Sequence, residues 1–366
     1  MVTARSTERD GYLPTLDGWR AIAIALVLVG HSASALSRLV AYGQFHMVGL
    51  LGVQVFFGLS GFLITSRLIR EEEKYGRISL RQFYGRRFFR ILPAAATFLT
   101  AVGLLHLAGV IPLTFGRWIS SLFPFANYTT AEPSWFVGHF WSLAVEEHFY
   151  FVWPSIFLAL VLARRRIVFA IGAAFAVALW RAIDASRHIT WTSPEMFWTR
   201  TDIQGDGLLW GVALALIAAD SVWGPRARRL VRPPIALPLL AIAVVFLQLW
   251  EPADWKLAMA VPTIKGVVIP LMLYTTLIEP QRVSGRILES ASFRFIGVLS
   301  YSLYLWQQLF FVRDSDRVPG LSGFDEFPIN LLSALACAYA CHKIVEKPLI
   351  AFSHRWLARS TITPAR

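Results

Sequence analysis

Long apolar runs of about 20 residues alternate with short polar stretches from one end of the chain to the other. A helix of that length crosses a hydrocarbon core of roughly 30 Å. The pattern predicts helices over about 19–38, 47–69, 91–111, 140–163, 167–184, 203–219, 235–250, 260–278, 293–312 and 328–345. The expectation is an all-α protein, a polytopic transmembrane helical bundle of about ten membrane-spanning helices, with both termini on one side. The first run is too long and too interrupted for a secretory signal, so it is expected to remain as helix one. No linker leads to a soluble module. Residues 1–366 are therefore expected to form one integral-membrane domain, its core over about 12–350, with no appended soluble domain.

Composition agrees, with 56% hydrophobic and only 16% charged residues, far from the balance of a soluble domain. The net charge of +12 raises the question of nucleic acid, and its distribution answers it. Basic residues cluster in alternate connections: Arg67, Arg70, Lys74, Arg77, Arg81, Arg86, Arg87 and Arg90; Arg164–Arg166; Arg226, Arg228, Arg229 and Arg232; Arg282, Arg286 and Arg294. With the N-terminus inside, most of the 35 Lys and Arg fall on that side, the positive-inside bias of a membrane protein. The expected location is the cell (inner) membrane, multi-pass, both termini cytoplasmic, among membrane lipids and with no nucleic-acid partner. Cys337 and Cys341 form neither a disulfide framework nor a zinc pattern and read as packing residues, with no metal site expected. The outer connections at about 112–139 and 185–202, with the residues next to them, hold Trp118, Trp135, Trp141, Trp191 and Trp198. These suit an interfacial aromatic belt, or alternatively a surface on which sugar rings stack.

Candidate chemistry begins in the run DGWRAIAIALVLVGHS at 17–32. Eleven residues of helix separate Arg20 from His31, an advance of about 16 Å that leaves them only about 20° apart on one face. Arg20 alone reads equally as a snorkelling anchor, and His31 alone as a satisfied core histidine. Together they point to a polar cavity inside the bundle, because ionisable groups in a membrane rarely face lipid. Asp17 is expected to cap this helix. In GVQVFFGLSGFLITSRL, 52–68, Gly52, Gly58, Ser60 and Gly61 suit close helix packing; the run is not a nucleophile elbow. Arg87 and Arg90, three apart on one helical face, match the fork geometry that grips phosphate, or serve topology and anionic lipid. In GHFWSLAVEEHFYFVWP, 138–154, Glu146, Glu147, His139 and His148 bring charge to the outer end of helix four. A glutamate near His31 would orient the imidazole; the bland alternative is a brace between helices. Asp202 and Asp206 stand one turn apart on helix six, with Gly207 and Gly211 as a packing pair.

Taken in order, Arg20 and His31, FFGLSGFLIT, Arg87 and Arg90 before ILP, WSLAVEEHFYFVWP and LSYSLYLW resemble acyltransferase family 3, multi-span O-acyltransferases of bacterial glycans, lipids and antibiotics. The resemblance covers about 12–350. It implies that Arg20 and His31 are the essential pair on helix one, that Arg87 and Arg90 contact acyl-CoA from the cytoplasmic side, and that Glu146 is the motif glutamate. Two positions depart from the pattern: Gln307 stands where a histidine is usual, and Gln204 where an arginine is common. Neither is expected to be catalytic.

The chemistry of the residues fits that resemblance. An alcohol needs a base to be acylated at neutral pH, and histidine suits the role. A thioester is already activated, and the chain has no P-loop, so no permanently bound cofactor is expected. The expected activity is transfer of an acyl group, acetyl by resemblance, from acyl-CoA to a hydroxyl of a carbohydrate, glycolipid or glycosylated small molecule. The catalytic candidates are His31, Arg20 and Glu146, and the donor-binding candidates Arg87 and Arg90. The competing reading is a proton-coupled transporter or flippase, against which the lack of an internal repeat counts.

Overall fold

Helix α1 (Pro14–His31) begins with proline at its first position, where the missing N–H costs nothing and the fixed φ already suits a helix. Asp17 therefore does not cap it: the N-cap is Leu13, and Asp17 lies inside the first turn. There it accepts from the Tyr12 hydroxyl at 2.5 Å and meets Arg20 at 3.4 Å, and its charge favours the positive end of the helix dipole. The computed structural model describes residues 12–32, 42–129, 131–160, 162–187, 194–250 and 254–359. Among these the chain is all-helical. The end of the first expected span, 33–38, and Trp191 lie outside the described residues.

The principal helices after α1 are α2 (Tyr42–Tyr75), α3 (Leu80–Leu107), α4 (Phe140–Ala159), α5 (Ala163–Arg187), α6 (Asp206–Ala219), α7 (Ala236–Leu249), α8 (Trp255–Ile278), α9 (Ala291–Phe310), α10 (Ile329–Cys341) and α11 (Lys347–Arg359). Each expected segment coincides with one of α1 to α10. Length and apolarity alone qualify four described helices to cross a membrane: Met47–Tyr75, Leu80–Leu107, Arg164–Arg187 and Trp255–Ile278. A fifth arises if Asp206–Ala219 and the helix Trp223–Val231, bent from it by 110°, count as one span. The others fall short for physical reasons. Helices α6, α7 and α10 are 14, 14 and 13 residues long, and α1, α4 and α9 carry polar side chains into the bundle.

Helix α2 is the central strut, packed against α1, α6 and α8. Small residues set these crossings. A Cβ at Gly52 would sit 2.5 Å from the Ala23 carbonyl oxygen of α1, and one at Gly61 2.0 Å from that of Leu208 on α6. Gly211 meets Gly58 in the same way at 2.4 Å. Helix α9 lies as close to α1, where a Cβ at Gly297 would be 1.9 Å from the Asp17 carbonyl oxygen. Only glycine permits backbones this near. The outward surfaces of α3, α5 and α7 carry exposed Leu104, Phe175, Leu179, Ile242 and Phe246, the face a helix turns to lipid.

Asp202 and Asp206 do not share one helix. The chain breaks at Gly205, leaving Asp202 on the short turn Thr201–Gln204 and Asp206 at the start of α6. Fully buried Arg181 of α5 grips Asp206 through two nitrogens, at 3.1 and 2.8 Å, and also reaches Thr263 of α8 at 2.5 Å. Asp202 instead pairs with Arg200 and accepts from Trp180 at 2.7 Å.

Candidate active site

Where α1, α2, α3, α4 and α9 converge they enclose a cavity of about 750 Å³, its open mouth included. Arg20 of α1, Ser60 of α2, Arg87 and Arg90 of α3, Glu146 and Glu147 of α4, and Tyr304 of α9 all line it. Four of the five expected site residues thus come from three helices to one space. The fold explains why: the glycine contacts draw α1 onto α2 and α9, and Ser79, capping α3 through its hydroxyl at 3.3 Å from the Gln82 N–H, starts that helix about two turns before Arg87 and three before Arg90.

Charge in the cavity is unevenly matched. Arg20 is paired with Asp17. Among the described residues, Arg87 and Arg90 make no ion pair; Arg87 lies 4.6 Å over the Tyr150 ring, a cation–π contact. Glu146 accepts from Ser60 at 3.0 Å and from the Tyr150 hydroxyl at 2.7 Å, so both its oxygens are engaged. Glu147, the next residue of α4, also lines the space.

His31 stands apart from the cavity lining. Its Nδ1 is 2.8 Å from Gln307 Oε1, and its ring meets Trp135 edge-on with centroids 5.2 Å apart. The contacts continue: Gln307 Nε2 donates to Gln308 Oε1 at 2.9 Å, and Gln308 Nε2 to the Trp135 carbonyl oxygen at 2.7 Å. The glutamate expected beside His31 is thus committed elsewhere, to Ser60 and Tyr150. Gln307, set aside because it departs from the family's histidine, contacts the imidazole directly. Tyr150 was legible in principle, four residues after Glu146 on the same helical face. Trp135, expected in an interfacial belt, also serves as a wall of the histidine site.

Residues 13–343 match the acyltransferase domain family, and the chain belongs to it. With its outward apolar helices, that makes it a membrane protein. Among similar proteins, the peptidoglycan O-acetyltransferase of Listeria monocytogenes is 28% identical over 81% of this chain and 49% of its own length. A putative O-acetyltransferase of Staphylococcus aureus is 30% identical over 81% of this chain and 50% of its own. A putative peptidoglycan O-acetyltransferase of Bacillus subtilis is 27% identical over 94% and 56%. The chain therefore spans about half the length of the curated relatives it matches. No solved structure matches it.

Proposed function

We propose that this chain is a membrane O-acyltransferase that moves an acyl group, acetyl in the first instance, from acyl-CoA to a carbohydrate hydroxyl. The names of its relatives make a peptidoglycan sugar the acceptor of choice. The observation that carries the reading is one cavity lined by Arg20, Arg87, Arg90 and Tyr304, the last lying one turn of α9 before the Gln307 that contacts His31. Arg87 and Arg90 bind the phosphates of the coenzyme, as planar guanidinium forks do. Its pantetheine arm extends along α1 toward His31.

His31 is the general base. Because an amide oxygen only accepts, Nδ1 carries the proton and Nε2 the lone pair, and Nε2 takes the proton of the attacking hydroxyl. Arg20 lies about 16 Å of helix away from His31, so it acts on the donor rather than on the reacting atoms. Glu146 holds Ser60 and Tyr150 in the cavity wall. About ten helices cross the inner membrane, both termini are cytoplasmic, and the arginine end of the cavity faces the side on which acyl-CoA is made.

The test is to supply the purified chain, in lipid nanodiscs, with acetyl-CoA and a soluble peptidoglycan fragment. Free CoA thiol and an acetylated sugar should appear together, the latter read by mass spectrometry. Movement of glycan across vesicles without release of CoA would favour the transport reading and overturn this one.

A further inference from the structure

We propose that the Tyr304 hydroxyl stabilises the oxyanion formed on the transferred acyl group, which makes Tyr304 a catalytic residue. The inference rests on the reaction proposed above and adds a group to it. Of the α9 residues that line the cavity, Ser300, Tyr301 and Tyr304, the last is nearest in sequence to Gln307, which follows it by three residues, about 4.5 Å along the helix axis. A thioester whose coenzyme lies at Arg87 and Arg90, and whose acyl carbon reaches His31, must pass this hydroxyl.

Counting protons shows that the hydroxyl has one to give. Tyr304 Oη and Ser142 Oγ are 2.6 Å apart. Both also lie within reach of the His139 carbonyl oxygen, at 3.3 and 3.1 Å. Two hydroxyls carry two protons: one fills the short bond between them, and the other goes to the carbonyl by a longer contact. A developing oxyanion is the stronger acceptor. When Ser142 donates to Tyr304 Oη, the tyrosine proton turns to the oxyanion, and the bonded pair strengthens the donation. The His139 carbonyl still keeps the Ser142 N–H at 3.3 Å. The ring itself is only 6% exposed and is held edge-on by Phe56 and His139, with centroids 6.2 and 5.4 Å away. A donor fixed before the charge develops is what electrostatic catalysis requires.

The step balances. The acceptor oxygen bonds to the acyl carbon as the carbonyl pair moves onto oxygen and His31 Nε2 takes the acceptor's proton. The C–S bond then breaks, and the thiolate of the coenzyme takes that proton back from His31.

Tyr304→Phe keeps the ring and removes only the hydroxyl. In the full chain in nanodiscs, kcat should fall about 10²- to 10³-fold, while KM and Kd for acetyl-CoA stay unchanged. A second readout is infrared: a carbon-13 ketone analogue of acetyl-CoA, with methylene in place of sulfur, cannot transfer its group. Its carbonyl stretch should drop on binding to the wild type and not on binding to Tyr304→Phe. Ser142→Ala, which keeps the phenol, should give a smaller drop and serves if the first variant does not fold. Unchanged kcat, loss of rate matched by loss of affinity, or equal stretches in every variant would overturn the proposal. A wild type that binds no acetyl-CoA would overturn the donor assignment and this inference with it. A wild type that turns over while Tyr304→Phe matches it would overturn this inference alone.

Discussion

Gln307 offers Oε1 to the Nδ1 of His31 at 2.8 Å while its own Nε2 is held by Gln308, so the amide is fixed in the orientation that selects one tautomer. Removing the imidazole with His31→Ala should lower transfer by about 10²- to 10⁴-fold, the usual weight of a positioned base, with acetyl-CoA binding retained. Gln307→Glu keeps the shape and places a carboxylate against the ring. The charged imidazolium is then favoured, the neutral base is lost at a higher pH, and the acidic limb of the pH–rate profile should move upward. Glu146→Gln should leave that limb where it is, since Glu146 binds Ser60 and Tyr150. A limb moved by Glu146→Gln would return the glutamate to the histidine. For Arg20→Ala, a rise in KM for acetyl-CoA with kcat nearly kept is expected; a fall in kcat alone would place Arg20 at the reacting atoms.

Between helices, stability rests on backbone contact and on buried ion pairs, of which Arg181–Asp206 joins α5 to α6. Gly61→Ala puts a methyl 2.0 Å from the Leu208 carbonyl oxygen, which neither backbone can relieve, and should cost about 1–3 kcal/mol as other overpacked sites do. Gly172 on α5 has nothing within 4 Å of its would-be Cβ, so Gly172→Ala should be neutral or slightly stabilising. Thermal unfolding in one lipid mixture compares the two; equal shifts would refute the crossing argument. Arg181→Ala leaves Asp206 buried and uncompensated, a loss of roughly 3–5 kcal/mol that Arg181→Met with Asp206→Leu should largely recover. The apolar runs made every principal helix up to α10 legible, because each is a local pattern. The aligned Arg20 and His31, the cavity arginines and Glu146 were legible as candidates for the same reason. Which of them meet was not. Glu146 lies 115 residues from His31 in sequence, and only the angles at which α1, α2, α4 and α9 cross decide that it faces Ser60. Arg181, inside an apolar run, carried no sign that Asp206 waits across the bundle.

Across the whole molecule, helix number and charge bear on the same question. Length and composition alone qualify four or five described helices, and α4 is not among them because Glu146, Glu147 and His148 dilute it. Those carboxylates point into the cavity rather than toward lipid, so their presence does not bar α4 from crossing. Between the exposed Glu132 and the exposed Arg229 the chain runs through α4, α5 and α6. Three crossings put these residues on opposite sides; if α4 stays at the surface, the two crossings left put them on one side. Arg229 also lies on the helix Trp223–Val231, turned by 110° from α6 and bearing Arg226 and Arg228 beside it, as a basic helix lying along the anionic inner surface would. With Cys337→Ala and Cys341→Ala as the background, a membrane-impermeant maleimide should label Glu132→Cys on intact spheroplasts. It should label Arg229→Cys only after the membrane is opened. Labelling of both on intact cells would show that one of these three helices does not cross and reduce the count below ten. Labelling of Arg229→Cys alone would turn the molecule over and place its arginine cavity on the side where no acyl-CoA is made.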